Sequence, residues 1–80
     1  MAKNPTILDT PQAQADYCKA LRNGANLTQP ELAEAMGYAH YQTIANAENA
    51  NSKGRTGTRI KIIRHLKPKA EVTEAIVVQE

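Results

Sequence analysis

Apolar residues recur at helical spacing in four stretches of the chain, separated by short polar segments that carry glycine, asparagine or proline. In the first stretch, Ala13, Tyr17, Cys18, Ala20 and Leu21 fall on one face and predict a helix that runs to about Arg22. Thr10 is its N-cap, Pro11 occupies its first position, and Asn23-Gly24 ends it. The second stretch places Leu32, Ala33, Ala35 and Met36 in a short seam. Thr28, three residues before Glu31, forms a capping box, and Gln29 and Pro30 fill the first turn. Gly37 can then leave the helix with positive φ at low steric cost. In the third stretch, Tyr41 to Glu48 predicts another short helix with Ile44 and Ala47 on its inner face. The fourth contains Ile60, Ile62, Ile63 and Leu66, capped by Thr58 or Thr56 and stopped before Pro68. The polar segment ANSKGRTGT separates the last two. Helices therefore number four, or five if that loop hides a turn.

The two ends carry weaker signals. Residues 1–9 have no period and are expected to be a flexible N-terminus, with Ile7 and Leu8 positioned to pack just ahead of the first helix. At the other end, Val72, Ala75 and Ile76 fit a helical face, whereas Ile76-Val77-Val78 is a β-branched run that suits a strand. A terminal strand would leave an exposed edge. Pairing Ile76, Val77 and Val78 with the same segment of a second subunit would cover it and make a homodimer, and a disordered tail is the alternative.

Two short helices with a glycine corner between residues 27 and 49 make a helix-turn-helix. The residues Leu27-Thr28-Gln29, Glu31-Leu32-Ala33, Met36-Gly37, Gln42-Thr43-Ile44 and Glu48-Asn49 resemble the lambda repressor/Cro-like family of DNA-binding regulators. The connection from Gly37 to Ile44 is one residue longer than the commonest family form. Ala47 and Ala50 stand where the family usually has a larger apolar residue and a glycine. The resemblance implies an all-α, lambda-repressor-like domain of four to five helices over residues 10–67, followed by a tail over 68–80 with at most a short C-terminal β-strand.

Composition narrows the function classes. The chain has 80 residues, no Phe or Trp, and a single cysteine. It can build one small, alanine-rich core and no intramolecular disulfide. Cys18 lies on an apolar stripe, which suits a small core residue better than a nucleophile. Neither a signal peptide nor an apolar run of membrane length is evident, so a cytoplasmic setting without membrane contact is expected, in a prokaryotic cell or a phage-infected host. His40 and His65 have no matching Cys or Asp cluster, and no phosphate loop, catalytic triad or paired catalytic carboxylates occur. No metal, cofactor or enzymatic activity is therefore expected. The formal charge of +2 hides polarity: residues 1–50 carry −2, residues 51–70 carry +7, and residues 71–80 carry −3. A basic block directly after a helix-turn-helix favours contact with a polyanion.

A helix in the major groove reads bases with outward side chains near its N-terminus. With Ile44 and Ala47 inward, Tyr41, Gln42 and Asn46 become the base-contact candidates, the two amides each suited to an adenine edge. Gln29, at a helix start where N–H groups favour anions, is a phosphate candidate, and the resemblance assigns its counterpart the same role. His40 and Thr43 are further phosphate candidates. Lys53, Arg55 and Arg59 lie where family members clamp the backbone. Glu48 is expected to be structural, tying the helix end to the next loop or to a basic side chain. The expected function is a sequence-specific regulator of transcription, a small Cro-like repressor or autoregulator that binds a palindromic operator in double-stranded DNA as a homodimer. Two alternatives are an antitoxin-type regulator whose tail binds a toxin, and a protein-interaction module that keeps the fold without binding DNA.

Overall fold

The computed structural model describes residues 6–72 and 77–79. Among them the chain runs as β1 (Thr6–Ile7), α1 (Pro11–Gly24), α2 (Gln29–Ala35), α3 (Gln42–Ala47), α4 (Thr56–Leu66), β2 (Glu71–Val72) and β3 (Val77–Gln79). The four helices carry most of the core. Leu32, Ile44, Ile62 and Ile63 are fully buried at its centre, together with Cys18, Ala33 and Ala47.

Local chemistry accounts for the helix ends. The Thr10 hydroxyl accepts from the Ala13 N–H at 3.1 Å and Pro11 opens α1. Around α2 the capping box closes in both directions. Glu31 N–H donates to Thr28 Oγ1 at 3.2 Å, and Thr28 N–H donates to Glu31 Oε1 at 2.9 Å. These bonds to the Thr28 backbone and hydroxyl hold the Glu31 carboxyl below its ordinary pKa. At the other end, Gly37 has φ 79°, with Gly37 N–H donating to Glu34 O at 3.1 Å and Tyr38 N–H to Ala33 O at 2.9 Å. This crossed pair satisfies two carbonyls that the helix cannot, and it turns the chain toward α3.

Several expectations need correction. In α1 the buried face is Gln14, Ala15, Cys18 and Arg22, while Ala20 is exposed. In α2, Ala35 is exposed and only Leu32 and Ala33 are buried. α1 does end at Gly24, and the left-handed residue after it is Asn26, φ 58°. Thr56 and Thr58 both lie inside α4, whose N-cap is Arg55 with no side-chain capping bond.

The ends differ most. β1, β3 and β2 form a three-stranded antiparallel sheet in that order, with Thr6 opposite Val78, Ile7 opposite Val77, Glu71 opposite Gln79 and Val72 opposite Val78. Residues 6–8 are thus built into the fold, with Leu8 4% exposed, rather than part of a flexible end. The C-terminal strand is the middle one. Val78 is paired within the chain on both sides, with Thr6 and Val72, and Val77 on one side, with Ile7, so Val78 has no open edge for the expected pairing with a second subunit. The remaining member of that expected interface, Ile76, lies outside the described residues. Val72 and Val78 seat the sheet in the common core, 7% and 1% exposed.

Candidate nucleic-acid interface

α3 is only six residues long, too short to be stable alone, so its placement depends on its neighbours. Ile44 and Ala47 anchor its inner face and are fully buried. Its outer side carries Tyr41, 52% exposed at the N-cap, the exposed Gln42 and the half-buried Asn46. Gln42 Nε2 donates to Asn46 Oδ1 at 3.0 Å. Gln42 and Asn46 therefore share one surface, and Tyr41 stands at the start of the same helix.

Two buried arginines hold the far end of α3. Arg22, from α1, donates from Nε to Glu48 Oε2 at 2.6 Å, from Nη2 to Glu48 Oε1 at 3.0 Å, and from Nη1 to Leu27 O at 2.7 Å. The side chains of this ion pair are 10% and 4% exposed. Glu48 is the helix C-cap, so one carboxylate ties α1, the approach to α2 and the end of α3 together. Its hydrogen bond raises the Arg22 pKa above the ordinary guanidinium value. Gln29 joins the cluster, its Nε2 donating to Glu48 Oε1 at 3.2 Å. The Gln29 amide can still donate its second N–H to a phosphate, but its position is set by Glu48.

Arg59, from α4, is the second latch. Its Nε donates to Ala47 O at 2.7 Å, its Nη2 to Asn49 O at 2.9 Å and its Nη1 to Gln14 Oε1 at 3.2 Å. A cation on the last carbonyls of a helix also opposes the helix dipole favourably. Burial pulls the Arg59 pKa below the ordinary guanidinium value. At 2% exposure, with three protein acceptors around it, Arg59 has no surface left for a DNA backbone. The expected phosphate contact at Arg59 is corrected to an internal one. Periodicity held a signal for this: Arg59 stands three, four and seven residues before Ile62, Ile63 and Leu66, on the inner face of α4. The Arg22–Glu48 pair spans 26 residues and had no comparable signal.

The rest of the basic block is also divided. Arg64 Nη2 donates to Val72 O at 3.0 Å, and Lys67 Nζ sits 5.7 Å above the Tyr17 ring. Lys53 is exposed and Arg55 half-buried in the loop between α3 and α4; Lys61 and Lys69 are exposed. From residue 23 to residue 52 the chain has no Lys or Arg at all, while Glu31 and Glu34 are exposed. The first cations that follow α3 in the chain are Lys53 and Arg55. His40 is exposed in the turn before α3, and its carbonyl accepts from the half-buried Thr43 at 3.4 Å.

Beside the turn, Tyr38, His40 and Tyr41 face Pro30, Ala33 and Glu34 across an open groove of about 610 Å³. Cys18 is fully buried, its Sγ donating to Arg59 O at 3.6 Å, and burial pushes the thiol pKa up to about 12, far from a reactive thiolate. Among the described residues, no helix is long and apolar enough to cross a membrane. In comparisons with protein-family models, curated proteins and solved structures, nothing matches this chain.

Proposed function

We propose that the chain is a lambda repressor/Cro-like helix-turn-helix protein that binds double-stranded DNA sequence-specifically and acts as a small transcriptional repressor or autoregulator. The observation that carries this reading is α3 itself. It is a six-residue helix with Tyr41, Gln42 and Asn46 outward, and its far end is fastened by Glu48 and Arg59. Groups held this way meet base edges with little ordering cost, which is what major-groove readout needs. Gln29, His40, Lys53 and Arg55 flank that helix in sequence and, with Thr43 within it, supply the backbone contacts. Binding as a homodimer to a palindromic site belongs to the same proposal, since one module of this size reads only a half-site. Its interface then lies away from the two edges of β3.

One observation favours a second reading, a protein-interaction module without DNA binding. It is the lack of cations over residues 23–52 beside the exposed Glu31 and Glu34. For the antitoxin alternative, Val72 and Val78 on the tail are packed into the chain's own core and offer no surface to a toxin. Titration of the full chain against a randomised duplex over a range of salt separates the two readings. Affinity that falls steeply with salt, and selection of a defined sequence from the pool, support the regulator. Absence of binding at low salt overturns it in favour of the interaction module.

A further inference from the structure

The bond from Gln42 Nε2 to Asn46 Oδ1, 3.0 Å long, makes the two outward amides of α3 unequal. The residues are one helical turn apart, a spacing at which a glutamine amide reaches an Asx oxygen. The same sense recurs on α1, where Gln12 Nε2 donates to Asp16 Oδ1 at 2.8 Å and an ionised carboxylate can only accept. Gln42 commits one N–H to its neighbour and keeps Oε1 and the other N–H, the pair that an adenine edge takes in the major groove. Asn46 is left differently. With Oδ1 turned toward Gln42, the branch of its amide that remains to meet a base is Nδ2, a donor only. Guanine presents two acceptors there, N7 and O6, whereas the adenine N6 amino group would set donor against donor.

We infer that Gln42 is a specificity-determining residue for the position that Asn46 touches, selecting guanine there by engaging the Asn46 oxygen while itself reading adenine. The inference rests on the DNA reading proposed above. It departs from the expectation that both amides read adenine alike.

Selection from a randomised duplex pool tests it, using the full chain as wild type, Gln42→Ala and Asn46→Asp. Gln42→Ala should lose the adenine preference at its own position. It should also reduce the guanine-over-adenine preference at the Asn46 position by about tenfold, because the freed amide can now present both its oxygen and its nitrogen. Asn46→Asp keeps an acceptor for Gln42, as Asp16 does for Gln12, and should replace guanine by cytosine, whose N4 amino group donates. Unchanged preference at the Asn46 position in Gln42→Ala overturns the inference while leaving the DNA reading intact. The bond itself is read without DNA from slowed exchange of the Gln42 side-chain N–H by NMR, lost in Asn46→Ala. No slowing in the wild type also overturns the inference. A chain that shows the bond but selects no sequence overturns the DNA reading, and the inference with it.

Discussion

Arg59 shows how far one side chain can change roles between sequence and fold. Its guanidinium meets two carbonyls at the end of α3 and the Gln14 amide, all within the protein. Lysine carries the same charge but cannot span three separated acceptors with a compact ammonium group. Arg59→Lys is therefore expected to lower the unfolding free energy by about 3 kcal/mol, read from urea denaturation, through buried acceptors left unsatisfied. A midpoint equal to wild type would show that the latch contributes nothing. Glu48→Gln should cost a similar ~3 kcal/mol, since it leaves the Arg22 guanidinium without its countercharge. Cys18 adds a pH dependence. Its thiol pKa rises from 9.0 to about 12 on folding, so the folded state holds the proton more tightly than the unfolded one. That contribution is fully present below pH 9 and is lost as pH climbs toward 12. Between pH 8 and pH 10.5, wild-type stability should fall more steeply than that of Cys18→Ala. Parallel pH profiles would mean that the thiol does not feel its burial.

At the scale of elements, α3 and the loop after it divide the work of a DNA contact. The helix brings neutral amides and Tyr41, while the loop brings cations, as Lys53 and Arg55. Each phosphate neutralised contributes about 0.9 to the slope of log affinity against log salt. Replacing Lys53 and Arg55 together by Ala should flatten that slope by about 1.8 with little change in the selected sequence. Retention of the wild-type slope in the double variant would make the loop charges bystanders. Arg59→Ala has no place in this series, because its effect on affinity would come through misplacing α3.

For the whole molecule, the small sheet matters more than its size suggests. β3 lies between β1 and β2, so strands from both ends of the chain close over the helical core. Val72 and Val78 are almost completely buried, and Val72 O also holds Arg64 at 3.0 Å. Burying each valine contributes ~1.5–3 kcal/mol, a large share of the margin of a domain this small. Ending the chain after Ala70 is thus expected to lower the melting temperature by at least about 10 °C or abolish cooperative unfolding, followed by circular dichroism. A truncated protein that melts like the full chain would show the sheet to be dispensable. Sedimentation of the full chain then tests the dimer without a contribution from β3 pairing.

What the sequence determined by itself was local. The capping box of Thr28 and Glu31, the positive φ of Gly37, the Thr10 cap and the inward pair Ile44 and Ala47 all follow from interactions within about five residues. Propensity and periodicity register such interactions directly. The tertiary structure decided everything that joins distant segments. It turned Arg59 inward onto Gln14, 45 residues away, and paired Arg22 with Glu48. It also seated the last strand between residues 6–7 and 71–72. A β-branched run can show that a strand is favoured without specifying its partner. An arginine on an apolar face can be surface or core until the carbonyls it must satisfy are in place. In both cases the outcome depends on hydrogen-bond acceptors that sequence spacing does not reveal.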